Sequence, residues 1–255
     1  MEMFFLTQNE MATLLLSLKG ENSQKPLSVL QNFWVQSRKQ KFEFDQTHNA
    51  FMKTLIPNIF LEIIKLNKVG IGFSLYDITA LGNQIKNKHF SVNTLQNWAK
   101  RDLKEIIGPP QKGKKYTADQ VALFFIIEDL KVILNFKSID RLFKKIIFHS
   151  VNEIKYLINP TQLYSLYCLT FEKINKNKVF LSQQPFDIIQ IIEHVVHDIA
   201  GKVPHIFQQI SSQQKELIFK VIMISTFAIY TSYIQGLTKK YISATLFFQC
   251  NHIKI

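Results

Sequence analysis

Between Lys86 and Tyr116 the chain carries eight basic side chains, Lys86, Lys88, Lys100, Arg101, Lys104, Lys112, Lys114 and Lys115, against two acidic ones, Asp102 and Glu105. That excess of six is half of the +12 net charge of the whole chain, gathered in 31 of its 255 residues. Ammonium and guanidinium groups at this density suit a partner rich in phosphate. A second chemistry lies inside the same stretch. Asn93, Gln96 and Asn97 sit on a short helical pattern opposite Leu95 and Trp98, and amide side chains can bond the edges of bases, adenine in bidentate fashion. Lys100 and Arg101 flank this face, and Lys112, Lys114 and Lys115 surround Gly113. Such cations hold a phosphate backbone without reading its sequence, and a glycine lets a hairpin tip approach it closely. The candidate contact set is Ser91, Asn93, Thr94, Gln96, Asn97, Lys100, Arg101, Lys112, Lys114, Lys115 and Tyr116. Trp98 reads as a core anchor, because Leu95 lies three residues away on the same helix face. Tyr116 is also placed to fasten the basic hairpin to the core.

Other chemistries are weakly represented. His194 and His197 in EHVVHD stand one turn apart, yet a zinc site needs more ligands and none is evident nearby. Cys168 and Cys250 lie 82 positions apart with no CxxC, so neither a disulfide framework nor a cysteine-based zinc site is indicated, and a reducing cytoplasm fits best. Cys168, in LYSLYCLTF, reads as a packing residue, with an effector-sensing thiol as the alternative. Nothing resembles a nucleophile elbow, a phosphate-cradling glycine loop or paired catalytic carboxylates. The expectation is a protein that is not an enzyme and needs no metal or cofactor.

The elements that must position these groups are mostly helical, since apolar residues recur at spacings of three and four and there are only eight Gly and seven Pro. Helices are expected over 7–18 and 27–36, and over Met52–Asn67 with Pro57 marking a later start. The stretch 38–50 reads as a polar linker. Ser74 is expected to cap a helix over Phe73–Lys86, and Ser91 a second one over Val92–Arg101. Residues 103–115 should not remain helical, because Pro109 and Pro110 remove amide donors. Thr117 and Gln120 form a T-x-x-Q capping box that starts a helix over 118–134, apolar almost all round and therefore central. Ser138 is expected to start another. Beyond Pro160 come helices over 161–176, 186–200 and 212–236, and a tail from Tyr241 that could be a strand or a docked extension. Val221–Thr238 is uncharged for 18 residues, the lower limit of a membrane span, but five polar side chains dilute it and a buried helix is expected.

Taken together, HFSVNTLQNWAK, the two prolines, GKKYTADQVALFFIIEDLK and FKSIDRLF resemble the MerR-type winged helix-turn-helix. They resemble more closely an uncharacterised family of low-GC Gram-positive bacterial proteins, a domain of unknown function built on that winged helix. The matching residues are Thr94–Arg101, then Pro110 with Gly113–Tyr116, Asp119–Gln120, and Leu163–Cys168. The likeness covers about residues 55–175. Two departures stand out: His89 occupies a turn position where glycine is common, and residues 102–108 lengthen the path to the wing.

The resemblance and the residues together imply a mostly α protein, a MerR-like winged helix-turn-helix followed by a C-terminal helical block. Its expected divisions are an N-terminal helical extension (1–50), a winged helix-turn-helix domain (51–150) and a dimerisation or effector domain (151–255). The expected activity is sequence-selective binding of double-stranded DNA in the cytoplasm as a transcriptional regulator, with a homodimer and an unknown small-molecule effector implied by the family. The competing class is a helical interaction or membrane-associated protein whose basic segment meets anionic lipid or an acidic partner.

Overall fold

Local chemistry starts four of the helices. Thr7 accepts from the Glu10 amide while the Glu10 carboxylate accepts from Thr7 N–H at 2.6 Å, and this reciprocal cap opens α1 (Gln8–Lys19). Gly20, at φ +92°, closes it in the left-handed conformation. Ser74 and Asp77 repeat the reciprocal cap at α4 (Leu75–Gly82), and Thr117 and Gln120 do so at α7 (Ala118–Leu130). Ser91 caps α5 (Val92–Asn97) by accepting from Thr94 N–H. Between these lie α2 (Pro26–Arg38), α3 (Asn58–Leu66) and a one-turn α6 (Lys104–Ile107). The chain continues through α8 (Phe136–Ile146), an antiparallel pair β1 (Ile147–Ser150) and β2 (Glu153–Tyr156), α9 (Pro160–Lys176), α10 (Ile188–Lys202) and α11 (Ser212–Asn251). These elements come from a computed structural model that describes residues 4–38, 56–66, 68–150, 153–176, 188–202 and 210–251.

The protein is mostly helical. Its centre is α7, on which Val121 to Ile127 are all buried, so that α1, α9 and α11 pack around it. Each of its large apolar side chains contributes about 1.5–3 kcal/mol by leaving water. The buried cluster runs from Phe4 on the N-terminal side to Ile229 on α11. The three expected segments therefore share one core.

Several boundaries differ from expectation. The helix from Leu75 stops at Gly82, because residues 83–86 turn back and the Asn83 side chain is held by the backbone of Phe90. The helix from Val92 widens into a π-turn over Trp98–Asp102, where Leu103 N–H reaches back to Trp98 C=O. The stretch expected to lack helix contains α6, which ends at Gly108 before the prolines can interfere. Asn135, not Ser138, caps α8: its side chain accepts from Ser138 N–H at 2.9 Å, and the helix begins at Phe136. The helix from Ala118 ends at Leu130 and unwinds into turns. The tail beyond Tyr241 continues α11 to Asn251, since no proline follows Pro204 to interrupt it. The pair β1–β2 was not expected; strands of four residues leave almost no period to detect. Most of the linker expected over 38–50, and the first residues of the helix expected from Met52, lie outside the described residues.

α11 spans about 60 Å at 1.5 Å per residue. Its segment Ser212–Ser243 is long and apolar enough to cross a bilayer, and 39% of its most apolar stretch is buried inside the fold. Ile218, Val221, Ile222, Ser225, Thr226, Ala228 and Ile229 form that buried face.

Candidate nucleic-acid interface

The unit α4–turn–α5 is built on two close approaches. Asn83 accepts from Phe90 N–H at 2.7 Å and donates to Phe90 C=O at 3.2 Å, closing the turn with one side chain. A Cβ on Gly82 would stand 2.4 Å from the Phe90 ring, so glycine is what lets the turn fold against α4. The left-handed residue in this turn is Asn87 at φ +61°, not His89. Asparagine accepts that conformation more readily than most side chains.

On α5 and the π-turn that continues it the sides separate cleanly. Leu95 and Trp98 are buried, while Asn93, Asn97, Lys100 and Arg101 are exposed and Gln96 is half-buried. The Trp98 ring meets Phe136 edge-on at 6.1 Å, and the Lys131 ammonium stands 5.3 Å from its centroid. Trp98 is thus a core anchor. Ser91 and Thr94 share a hydroxyl–hydroxyl contact of 2.7 Å at the helix start, which engages both side chains in capping.

The length of residues 101–108 is taken up by the π-turn and α6, which bury Leu103, Ile106 and Ile107. Gln120 then fixes where this segment ends. Its Nε2 donates to Ile107 C=O at 2.9 Å and Pro109 C=O at 2.7 Å, and its Oε1 accepts from Gln111 N–H and Thr117 N–H. One buried amide therefore ties the path from α5 to the start of α7.

The wing expected over Pro109–Tyr116 is a minimal hairpin. Lys112 and Lys115 exchange backbone hydrogen bonds of 2.9 and 3.1 Å around Gly113 and Lys114, with Gly113 at φ +65°. Positive φ at the first central position is the geometry of a type II′ turn. No continuous strand runs through 108–117; the pairing consists of isolated bridges, Lys112 with Lys115 and Tyr116 with Phe73. The second bridge is tight, because a Cβ on Gly72 would stand 2.7 Å from Lys115 Cβ. Lys112, Lys114 and Lys115 are exposed at the tip. Tyr116 differs from the rest of the candidate set: its side chain is buried edge-on to Phe124 at 5.5 Å, and burial raises its phenol above the ordinary range. It fastens the hairpin to α7.

Asn83, Gln120 and Gly72 were not singled out for these roles from the sequence. Gln120 was legible only as half of a capping box, since its bonds to Ile107 and Pro109 depend on a chain path that no local pattern encodes. Among the described residues no group of three His, Cys, Asp or Glu side chains could hold a metal ion. His197 instead packs edge-on to Phe219 at 4.8 Å. Cys168 is buried and its thiol is held well above its ordinary pKa by that burial.

A mostly helical protein with this central unit has counterparts among known sequences. Residues 71–167, from the strand-like segment before α4 to the middle of α9, match the model of a family described as a domain of unknown function, DUF1836. Along nearly its whole length the chain is similar to the uncharacterized protein YkrK of Bacillus subtilis (strain 168), with 29% identity over 242 residues, 94% of this chain and 97% of that one. No solved structure matches it.

Proposed function

We propose that the central part of the chain, within the segment 51–150, forms a MerR-like winged helix that binds duplex DNA with sequence selectivity, and that the protein is a cytoplasmic transcriptional regulator. In this reading α5 enters the major groove with Asn93, Gln96 and Asn97 toward base edges, and the lysine-tipped hairpin grips the adjacent backbone. The observation that carries the proposal is the shared mounting of the two parts. The amide-bearing helix α5 is anchored through Trp98 to Phe136 at the start of α8 and to Lys131 at the end of α7, and the three hairpin lysines are fastened to α7 through Gln120 and Tyr116, so reader and grip share one scaffold. A rigid relation of that kind is what a groove-reading site requires, and a solvated lysine surface does not need it. The helices α9–α11 would serve dimerisation or ligand sensing.

Selection from random duplexes followed by sequencing tests the proposal. A regulator of this kind enriches one motif, a near-palindrome if it acts as a dimer, and its affinity falls with salt at a log-log slope of about −4 to −5 for five phosphate contacts. Absence of any enriched sequence overturns it.

The second reading is an interaction or membrane-associated protein, favoured by the exposed Tyr233, Ile234, Tyr241 and Ile242 on α11. Fractionation separates the two, because recovery wholly in the soluble fraction removes the membrane version.

A further inference from the structure

A cavity of about 170 Å³ opens where the start of α1, the turn before α5 and the second half of α11 meet. Its lining combines three cations, Lys86, Lys88 and Lys240, with the apolar side chains of Phe171, Ile229 and Leu237. The cations are not equivalent. Lys88 is neutralised by Asp129 at 2.6 Å and reaches Ser232 Oγ at 3.5 Å. Lys86 and Lys240 are exposed and, among the described residues, have no acidic partner, and no carboxylate lines the cavity.

Gly236 supplies a second, independent observation. Inside a helix, glycine is weaker than alanine and is retained at a cost unless something needs the space. Nothing lies within 4 Å of the position its Cβ would take, so close packing does not account for it. It lines the cavity on the same face of α11 as Ile229, Ser232 and Lys240, and a side chain there would project into open space.

We propose that this cavity binds a small organic anion with an apolar body. Its charged end is held by Lys86 and Lys240, with the Ser232 hydroxyl as a neutral donor, and its body lies against Phe171, Ile229 and Leu237. An inorganic ion alone would leave the apolar lining uncovered, and a neutral molecule would leave the two lysine ammonium groups without a counter-charge. The cavity is smaller than the ~300 Å³ of pockets that take drug-sized ligands, which limits the occupant to a single ring or a short chain. Asn87 and Lys88, which also line the site, belong to the turn that leads into α5, so an occupant touches the scaffold of the candidate DNA reader. Binding itself does not depend on the DNA reading and is measured without DNA.

The test uses the full chain and ligand-observed saturation-transfer NMR with benzoate, phenyl phosphate and hexanoate, each compared with its neutral counterpart, benzamide, benzyl alcohol and hexanol. At least one anion is expected to bind saturably, and its counterpart at least about tenfold more weakly. Joint replacement of Lys86→Ala and Lys240→Ala lowers that affinity by about tenfold or more, whereas Lys114→Ala leaves it unchanged. Gly236→Leu fills the cavity and abolishes binding while the helical circular dichroism signal is retained. Should Gly236→Leu fail to fold, the two exposed lysines still decide the matter. The proposal is overturned if none of the three anions saturates, if neutral counterparts bind equally, or if a folded Gly236→Leu or the double lysine variant binds as the parent does.

Discussion

The Lys88 ammonium lies 2.6 Å from the Asp129 carboxylate with only 9% and 1% of their side chains exposed, which joins the turn before α5 to the end of α7 by a buried ion pair. Asp129 also accepts from Gln8 on α1, at 2.9 and 3.0 Å, and from the Tyr167 hydroxyl on α9, at 2.9 Å. One carboxylate therefore gathers four segments of the chain. Removing one partner of such a pair leaves the other charge buried and uncompensated. Asp129→Ala is expected to destabilise the fold by about 3 kcal/mol or more, read as a melting temperature about 6–12 °C lower. Replacing both partners with apolar side chains, Lys88→Met and Asp129→Leu, should restore part of the loss. Equal losses in single and double variants would show that the charge pair is not the cause.

Gln120 bonds four backbone groups across residues 107–117. Gln120→Leu leaves the carbonyls of Ile107 and Pro109 without their donor and is expected to cost about 2 kcal/mol. The effect should be concentrated locally, so limited proteolysis is predicted to cut between Gly108 and Tyr116 faster than in the parent. Unchanged cleavage would mean that the path from α5 to the hairpin is held by other contacts.

Two glycines should respond in opposite directions to alanine. Gly82→Ala drives a Cβ into the Phe90 ring at 2.4 Å, an overpacking expected to cost about 1–3 kcal/mol. Gly236→Ala meets nothing and should gain about 0.5–1 kcal/mol from helix propensity. Adding Phe90→Leu to Gly82→Ala should recover stability non-additively, as contacting residues do, and chemical denaturation of the four proteins measures that coupling.

The hairpin and α5 should differ in what they lose. Joint Ala replacement of Lys112, Lys114 and Lys115 is expected to weaken all duplexes alike and to make the salt slope shallower by about three. Gln96→Ala or Asn97→Ala should instead change preference at one or two base pairs, a discrimination of about 1–3 kcal/mol each. Competition binding on the selected motif and its point variants distinguishes the two patterns, and identical behaviour of both sets would displace α5 from the reading role.

Alkali should unfold the protein through its buried phenols. Burial raises Tyr164 and Tyr167 well above the ordinary tyrosine range, and burial, with the Asp119 charge adding to it, pushes Tyr156 up to about 12. A raised folded value means that the folded state holds the proton more tightly. The stability this contributes is fully present below the unfolded value near 10 and is lost as pH rises through the folded values. Ultraviolet titration is expected to show these phenols ionising only together with the loss of helical circular dichroism above about pH 10. Ionisation of all eight tyrosines before that loss would contradict their burial.

The parts legible from sequence were those set within a few residues of one another. The caps at Ser74, Ser91 and Thr117, the start of a helix after Pro57, the all-round apolar α7 and the opposed faces of α5 each follow from local bonding or period. Boundaries failed where a distant group intervened. Asn83 reaching Phe90 ends α4 early, and Asn135 captures a helix start that Ser138 alone would suggest. The left-handed residue of the turn is Asn87, which no pattern in the turn singled out.

The sequence by itself determined that this protein is mostly helical, that its central helix is buried, and that cations and amides concentrate between Lys86 and Tyr116, because composition and periodicity are properties of neighbours along the chain. Only the tertiary structure decided how those groups are mounted. It took up residues 101–108 in a π-turn and a single helical turn, tied that path to α7 through Gln120, and brought Lys86, Lys88 and Lys240 around one cavity. Each of these arises from contacts between residues far apart in sequence, whose partners are chosen by the closing of the core and by no local pattern.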